Sequence, residues 1–413
     1  MATRRVLVVV LVLIGVVALA GGALLATRLL GGSEPVSLLV AGGQQMRLVG
    51  EGGERPLEGS IRTDAFDFPA VSPDGRKIAF VADEQDVRVI YRLDLRSGER
   101  RELLRTSVEA PFNLAWSPDG RHVNFLTAQE RGFVAQVVPD DGSRPAQTVA
   151  TGSSTFFNWS PDGSRLLFHT NGHTAEGGRV ELYAVTGDRA NPILNDPGLF
   201  QAPAWTLDGT QIFYVAQPPP EGRMTYEALE SSIVRAGPDG QSPTVVASEK
   251  QAGLRIVRAP TSNTIAYLVQ EIARDGSFQW GALKLVDGAG GQVRTLSRPG
   301  ERVTALFWSP DGRRIAYLTY SGDSYEPRGQ RAWRVVAVDS GEVRELGDGF
   351  TPSGEFANFQ FYFDAYQHSL SPWSPDSQRL AYGTNDGVYV LHVGDNTTTR
   401  IGDGGIGIWT GGR

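Results

Sequence analysis

Two histidines and a glutamate near the middle of the chain are the first candidates for chemistry. His169 and His173 are four residues apart and Glu176 follows them, a spacing that could bind Zn²⁺ on a helix. Asn171-Gly172 between them instead predicts a turn, and the sequence His-Glu-x-x-His is absent. We therefore interpret the segment as a loop with both histidines exposed to solvent, and we predict no metal site.

Other common catalytic designs are missing from the sequence. The chain contains no cysteine, so thiolate nucleophiles, thiolate metal ligands and disulfides are excluded. No Gly-x-Ser-x-Gly segment is present. Gly402, Gly404 and Gly407 match the glycine pattern of dinucleotide sites, but the following helix and the acidic residue about twenty positions on are missing. No catalytic residue and no cofactor is therefore predicted.

Aspartates recur along the chain at regular intervals, each inside a short turn sequence that follows a tryptophan or another apolar residue. Consecutive copies begin 43 to 54 residues apart, and the last step is 65 residues. A fixed period in this range is typical of repeat architectures with one supersecondary unit per repeat. The seven copies are Val71-Ser72-Pro73-Asp74-Gly75, Trp116-Ser117-Pro118-Asp119-Gly120, Trp159-Ser160-Pro161-Asp162-Gly163, Trp205-Thr206-Leu207-Asp208-Gly209, the degenerate Ala259-Pro260-Thr261-Ser262-Asn263, Trp308-Ser309-Pro310-Asp311-Gly312 and Trp373-Ser374-Pro375-Asp376-Ser377.

Each repeat is predicted to contain four short strands, as residues 112–150 illustrate. Apolar or alternating segments at 112–116, 122–127, 132–139 and 146–150 are separated by turn sequences. In the motif, proline fixes φ, the aspartate side chain bonds to nearby backbone and glycine accepts positive φ. The aspartates therefore have a structural role, and we favour it over Ca²⁺ binding. Four antiparallel strands per repeat predict an all-β fold, a β-propeller.

The segments Val71–Phe80 and Trp308–Tyr317 resemble the WD-like repeat of TolB-type propellers. The same repeat also occurs in the propeller of prolyl-oligopeptidase-type enzymes, but their α/β-hydrolase domain has no counterpart here. The resemblance extends over residues 37–410 and implies protein partners in the cell envelope. It implies a fold more strongly than a function.

The ends of the chain leave the number of blades open between seven and eight. Residues 37–40 and 46–49 read as two outer strands without an inner partner, while residues 407–411 read as an inner strand with nothing after it. Joining them would make a composite eighth blade and would hide the open sheet edges. We favour this eighth blade over seven blades with appendages.

Loop length divides the two faces of the predicted ring. The Ser-Pro-Asp-Gly turns and the turns between third and fourth strands lie on one face and are short. The other face, here called the long-loop face, carries the loops between second and third strands and the connectors between blades. Long loops on a rigid scaffold are common binding sites. The predicted binding residues on this face are Tyr320, Tyr325, Arg328, Tyr362, Tyr366 and His368.

Two further expectations concern the loops of this face. Residues 226–232 are predicted to include a short helix, and Phe359, Phe361 and Phe363 alternate as one face of a buried strand or plug would. A hydrolase or lyase site at the channel mouth is the alternative function, because several propellers are enzymes. It would require Asp323, Glu326, Asp364 and His368 to converge.

The first thirty residues differ from the rest of the chain. Arg4 and Arg5 precede an uncharged apolar run, Val6–Ala26, long enough to cross a bilayer with the N-terminus in the cytoplasm. A cleaved signal peptide ending near Ala18-Leu19-Ala20 is the alternative, and the length of the run favours an anchor. The predicted organisation is a cytoplasmic stub (1–5), a transmembrane signal-anchor (6–30), a linker (31–36) and the propeller (37–410).

A net charge of −7 and a pI near 5.4 argue against a nucleic-acid partner. Together these observations predict a single-pass membrane protein with an extracytoplasmic propeller. We expect it to be an interaction or ligand-binding module rather than an enzyme. Its partner would be an envelope protein or a small ligand on the long-loop face.

Overall fold

The computed structural model describes residues 36–57, 61, 67–107, 110–130, 132–152, 155–170, 179–184, 189–195, 201–217, 230–250, 252–272, 278–321, 326, 329–366 and 369–411. The predicted anchor (6–30) lies outside these residues, as do the predicted site residues Tyr325, Arg328 and His368. No helix within the described ranges combines the length and hydrophobicity that a membrane crossing would require.

The described strands form eight antiparallel sheets, seven of which are numbered here in chain order. Sheet 1 contains β4 (Ala70–Val71), β5 (Lys77–Glu84), β6 (Val87–Asp94) and β7 (Arg100–Thr106). Sheet 2 contains β8 (Pro111–Trp116), β9 (His122–Gln129), β10 (Gly132–Pro139) and β11 (Gln147–Gly152). Sheet 3 contains β12 (Thr155–Trp159), β13 (Arg165–Thr170), β14 (Arg179–Ala184) and β15 (Arg189–Asn195). Sheet 4 contains β16 (Ala204–Trp205), β17 (Ile212–Ala216), β18 (Glu230–Ala236) and β19 (Thr244–Lys250).

The remaining sheets follow the same strand order with two exceptions. Sheet 5 contains β20 (Ala252–Arg258), β21 (Ile265–Ile272), β22 (Phe278–Val286) and β23 (Arg294–Thr295). Sheet 6 contains β24 (Val303–Trp308), β25 (Arg314–Tyr320), β26 (Arg331–Ala337) and β27 (Val343–Phe350). Sheet 7 contains β28 (Arg379–Thr384), β29 (Gly387–His392) and β30 (Thr398–Gly402). The composite sheet contains β31 (Ile406–Trp409), β1 (Leu38–Gly42), β2 (Gln45–Gly50) and β3 (Gly53–Leu57), in this spatial order.

Burial falls from the first strand to the last in the sheets whose outer strands have described side chains, which leaves out sheet 3. Every residue of β12, β24 and β31 is buried, whereas β3 and β30 are mostly exposed. The first strands are therefore the inner strands of the fold. Sheet 7 departs from the predicted four strands, since its first strand is reduced to a single bridge between Trp373 and Leu380.

The turn motif has the predicted structural chemistry, as sheet 6 shows. The Ser309 hydroxyl donates to the Asp311 carboxylate at 2.6 Å, and it accepts the backbone N–H of Arg314 at 2.9 Å. Gly312 donates its N–H to the Ser309 carbonyl and has a φ of +70°, which glycine adopts without a steric penalty. The aspartate thus stabilises its own turn.

The degenerate fifth motif lies one residue earlier than the sequence comparison placed it. Ala259 donates its N–H to the Thr264 carbonyl, the bond that Ser309 makes to Arg314 in sheet 6. Ala259 therefore takes the serine position, and Arg258 takes the tryptophan position. The missing Ser, Asp and Gly had hidden this register.

The motif tryptophans join each sheet to the one before it. Their buried indole N–H groups mostly donate to a carbonyl just before the tryptophan position of the preceding sheet, at 2.8–3.2 Å. These bonds are Trp116 to Ala70, Trp205 to Asn158, Trp308 to Val257, Trp373 to Phe307 and Trp409 to Pro372. Trp159 instead donates to the side-chain oxygen of Asn124 at 2.6 Å.

A cation at the start of the second strand covers the tryptophan of the next sheet. The pairs are Lys77 over Trp116, Arg165 over Trp205, Arg314 over Trp373 and Arg379 over Trp409, with 4.5–5.8 Å between charge and ring centroid. His122 occupies this position in sheet 2 and stacks on Trp159 at 6.2 Å. Thr264 occupies it opposite Trp308, so that contact has no cation. Cation–π contacts of this kind contribute about 1 kcal/mol each.

Both ends of the chain meet in the composite sheet. β31 pairs antiparallel with β1, with Leu38 opposite Trp409, and Thr410 donates its N–H to the Ser37 carbonyl at 2.8 Å. The N-terminal segment supplies three strands rather than the two expected, because the exposed and polar β3 has little hydrophobic pattern.

Several expectations about loops are wrong. The aromatic connector before sheet 7 forms two helices, α1 (Gly354–Phe361) and α2 (Phe363–Tyr366), so Phe359, Phe361 and Phe363 do not share a strand face. Residues 230–232 begin strand β18 rather than ending a helix. His169 is buried within β13, where its Nδ1 lies 2.8 Å from the Gln201 carbonyl oxygen. Its partner in the metal hypothesis, His173, lies outside the described residues.

Replacing His122 by arginine should remove one source of acid sensitivity. Burial lowers the pKa of His122 below its ordinary value of 6.5, against the opposing effect of Asp119. The unfolded chain therefore takes up the proton first, and stability is lost as pH falls through the folded-state pKa. We expect the free energy of unfolding to fall less between about pH 8 and about pH 5 in His122→Arg than in the wild type, measured by urea titration.

The Thr264→Arg variant is the control for that experiment. It adds the missing cation opposite Trp308 and should raise stability by about 1 kcal/mol at both pH values. If the free energy of unfolding falls equally with pH in the wild type and in His122→Arg, His122 is not a source of the acid sensitivity.

Candidate functional site

The connector before sheet 7 closes the long-loop end of the inner strands. Its two helices, residues 354–366, are called the plug here. Helix α1 contacts β24 and β28, and α2 contacts β12, β20 and β24. Ser353 caps α1 by accepting the N–H of Phe356 at 3.0 Å and donates its hydroxyl to the Gly405 carbonyl at 2.5 Å. The plug therefore touches the inner strands of sheets 3, 5 and 6 and strand β28 of sheet 7, and it is bonded to Gly405, just before β31 of the composite sheet.

Aromatic rings bind the plug to these strands. Phe359 stacks on Phe307 with centroids 5.4 Å apart, and Tyr366 meets Phe68 edge to face at the same distance. Tyr366 is 2% exposed, and this burial raises its pKa well above the ordinary value. The prediction that Tyr366 is a surface contact is therefore wrong. The helix directs the Tyr366 ring inward, whereas the extended strand predicted from the sequence placed it on the exposed side.

A buried ion pair lies between the plug and sheet 5. The Arg255 guanidinium is 3.5 Å from the Asp364 carboxylate, and both side chains have at most 2% exposure. Asp364 also accepts the N–H of Ala202 at 3.0 Å, and Arg255 donates to the Phe361 carbonyl. Burial raises the pKa of Asp364, and the charge of Arg255 opposes the shift. These contacts make Asp364 an anchor of the plug.

A recess on the long-loop face contains Tyr320. It encloses about 480 Å³ between the strands of sheet 6 and the connector that precedes them, and its charged lining residues are Glu301, Arg302, Arg331 and Arg334. The guanidinium groups of Arg302 and Arg331 lie 5.7 and 5.8 Å from the Tyr320 ring. Three arginines and one glutamate give the described lining a positive charge.

Arg331 makes the floor of this recess rigid. It is 1% exposed and donates to the carbonyls of Gly329 and Glu326 at 2.8 and 2.7 Å. These bonds fold the described part of the β25–β26 loop back onto the start of β26, the strand that pairs with β25 beside Tyr320. The recess therefore presents a half-buried tyrosine on a fixed base.

The structure brings together fewer of the predicted site residues than the sequence suggested. Tyr320 lines the recess, and Tyr362 is half-buried on the plug, with its ring 4.9 Å from that of Phe361. Sequence reasoning missed Arg255 and Arg302. A charged residue within the apolar strand β20 was the available signal for Arg255, whereas nothing in the sequence distinguished Arg302.

The proposed catalytic group is not assembled by the described residues. Asp364 is held by Arg255, and Glu326 is exposed, while Asp323 and His368 lie outside the described ranges. Within the part of the chain that is described, no three His, Asp or Glu side chains are grouped as a metal site would require.

Comparison with known proteins supports the fold. No protein-family model matches this chain. A stretch of 70 residues is 34% identical to the Tol-Pal system protein TolB of Thioalkalivibrio sulfidiphilus (strain HL-EbGR7), covering 17% of this chain and only 16% of that protein. An oligogalacturonate lyase in complex with manganese superposes with a TM-score of 0.51 at 16% identity, covering 77% of this chain and 84% of the lyase.

A eukaryotic initiation factor superposes with a TM-score of 0.52 at 13% identity, covering 90% of this chain and 86% of that structure. At such identities the likeness shows a shared fold only. Together with the repeated sheets, it identifies an all-β, TolB-like β-propeller fold.

Removing the carboxylate of the buried pair should loosen the plug. We expect Asp364→Ala to lower the free energy of unfolding by about 3–5 kcal/mol, because Arg255 is left buried without its counter-charge. The double variant Arg255→Met/Asp364→Leu should recover most of this loss, since it buries no unpaired charge. Urea titration measures both effects.

An exposed ion pair provides the matched control. Arg298 and Glu345 form a bridge with side-chain exposures of 45% and 56%. Glu345→Ala should lower the free energy of unfolding far less than Asp364→Ala, because water screens the exposed pair. If Asp364→Ala costs no more than Glu345→Ala, the pair does not anchor the plug.

Proposed function

We propose that this chain is a membrane-anchored, extracytoplasmic β-propeller that binds an envelope protein through its long-loop face. The observation that carries the proposal is the rigid, positively charged recess around Tyr320. Tyrosine and arginine are enriched among the residues that dominate binding energy at interfaces. A partner with an acidic side chain would complement the charge of the recess.

The anchor part of the proposal rests on the N-terminal sequence. The uncharged run Val6–Ala26 has the length of a bilayer span, and Arg4 and Arg5 favour a cytoplasmic N-terminus. The propeller would then lie on the other side of the membrane. The local likeness to a protein of the Tol-Pal system is consistent with a role in binding envelope proteins.

The hydrolase or lyase alternative stays a prediction with less support. It requires Asp323, Glu326, Asp364 and His368 to act together at the channel mouth. The ion pair with Arg255 removes Asp364 from that group. The superposition with a lyase is evidence for a shared fold alone, and it identifies no catalytic residue in this chain.

We also propose that the eight sheets are eight blades of one closed ring. The composite sheet contacts sheet 7 through Trp409 and Arg379, in the pattern found between other neighbours. On its other side, Arg55 donates to the Leu95 carbonyl of sheet 1 at 2.9 Å. The turn glycine Gly75 packs against Gly411, where an added Cβ would come within 2.2 Å of backbone nitrogen.

Two glycines of sheet 1 test this closure. Gly75 and Gly98 have similar φ values, +70° and +74°, but Gly98 has no atom within 4 Å of an added Cβ. Gly98→Ala should cost about 1 kcal/mol, from backbone strain alone. Gly75→Ala should cost about 1–3 kcal/mol more, from the clash with Gly411. Equal losses in thermal unfolding would contradict closure between sheet 1 and the composite sheet.

The absence of cysteine makes the function testable with single-cysteine variants. Ser321 and Gln330 are exposed beside the recess. Ser340 is exposed in the turn between β26 and β27, at the short-turn end of the same sheet. Cysteines at all three positions should react in intact cells with a maleimide that cannot cross the plasma membrane. A photo-crosslinker attached at position 321 or 330 should capture one envelope protein, and the same group at position 340 should not.

The recess itself is tested in the same background. Adding Tyr320→Ala to the Ser321→Cys variant should weaken partner binding by about 30-fold, the effect of losing about 2 kcal/mol at an interface anchor. Circular dichroism checks that the variant is folded. Unreactive cysteines in intact cells would overturn the orientation. Capture that is equal at positions 321 and 340, or unaffected by Tyr320→Ala, would overturn the binding face.

A further inference from the structure

A second cavity lies on the short-turn side of the plug, away from the long loops. It encloses about 290 Å³ among the last residues of β20, β24 and β31, and the turn prolines at its rim place it on the short-turn face. Phe307 borders the cavity and also stacks on Phe359, so the cavity ends at the plug. The lining includes Arg258, Trp308, Pro310, Leu370, Trp373 and Trp409.

The walls offer apolar surface with few free polar groups. The indole N–H groups of Trp308, Trp373 and Trp409 already donate to carbonyls of neighbouring sheets at 3.2, 2.9 and 2.8 Å. Because Arg314 and Arg379 cover the rings of Trp373 and Trp409 from one side, these tryptophans offer a ligand only the ring surface that lines the cavity. Leu370 and Pro310 extend the apolar surface. Such a cavity favours an apolar body of matching size.

Arg258 is the charged member of the described lining. Its Nη1 donates to the carbonyls of Ala259 and Ser262, which leaves the edge formed by Nε and Nη2. Nε is buried and has no acceptor among the described residues, and no charged group of the described chain contributes to the pKa shift of this arginine. Burial also lowers the pKa of Arg258 to about 10. Arg258 is half-buried, and a charge that has lost much of its hydration is stabilised by an anionic partner.

The repeat pattern makes this arginine distinctive. Arg258 stands at the position that tryptophan occupies in sheets 2, 3, 4, 6 and 7, as the hydrogen bond of Ala259 to Thr264 establishes. The ring is thereby replaced by a guanidinium at one point of an aromatic wall. The Nε–Nη2 edge is the geometry with which arginine binds a carboxylate through two parallel hydrogen bonds.

We propose that this cavity binds a small apolar carboxylate, with its anionic group on Arg258 and its aliphatic or aromatic body against Trp308 and Trp373. A volume of about 290 Å³ lies at the lower end of known ligand cavities and suits a small molecule rather than a protein segment. The site is on the face opposite the recess, so the proposal does not depend on the function proposed above.

The test is isothermal titration calorimetry on the full-length protein with octanoate and 1-naphthoate, each compared with its neutral amide. We expect at least one carboxylate to bind with a Kd below about 1 mM. The matching amide should bind about 10- to 100-fold more weakly, because it lacks the charge-assisted bonds. Arg258→Met should weaken carboxylate binding by a similar factor and leave amide binding unchanged.

Two further variants serve as controls for the role of Arg258. Arg313→Met removes the same charge from an exposed position of a turn on the same face and should keep wild-type binding. Arg258→Lys preserves the charge without the two-pronged edge and should bind carboxylates with intermediate affinity. The proposal is overturned if no carboxylate binds, if the amides bind equally well, or if a folded Arg258→Met variant binds carboxylates like the wild type.

Discussion

The hydrogen bond from a motif tryptophan to the preceding sheet is the contact on which the rest of the structure depends. A four-stranded sheet of this size cannot bury both of its faces alone, so each sheet needs its neighbour. The indole ring fills the gap between two sheets while its N–H satisfies a buried carbonyl, as Trp205 does at Asn158. A cation such as Arg165 then covers the ring and extends the contact to the next turn. The same residues therefore fill the space between neighbouring sheets and supply hydrogen bonds to the buried carbonyls there.

That arrangement determines what the two ends of the inner strands can become. At the long-loop end, the inner strands begin with apolar residues that must be shielded from water. The aromatic side chains of the plug helices shield them. Arg255 and Asp364 are the exception within this cover. A buried ion pair adds little net stability over apolar residues of similar volume, but it strongly penalises any arrangement in which the charges separate. The pair thus specifies where the plug sits. At the other end, Arg258 interrupts the tryptophan series and gives the short-turn face chemistry that the turns alone do not have.

The accuracy of the sequence-based predictions follows the range of the interactions involved. The Ser-Pro-Asp-Gly turns were predicted correctly because serine, aspartate and glycine within five residues make all their bonds. The alternation that predicted a strand through Phe359 and Phe363 was misleading, because a short aromatic segment fits a strand and a buried helix equally well. Tyr366 was placed on the surface for the same reason. Tyr320 was recognised as a loop-face residue, but its pairing with Arg302 and Arg331 depends on two strands and a loop that meet only in the fold.

The sequence by itself determined the repeat, the turn chemistry and the all-β class, since these depend on residue types at fixed short spacings. It also supplied the apolar run that motivates the proposed anchor. Tertiary structure decided the register of the fifth motif, where Arg258 rather than Ala259 stands in line with the tryptophans. It also decided that the connector before Trp373 is helical rather than extended, and which charges are buried. The physical reason is that burial and pairing in this fold join residues of different repeats, such as Arg255 and Asp364, whose proximity no local pattern records.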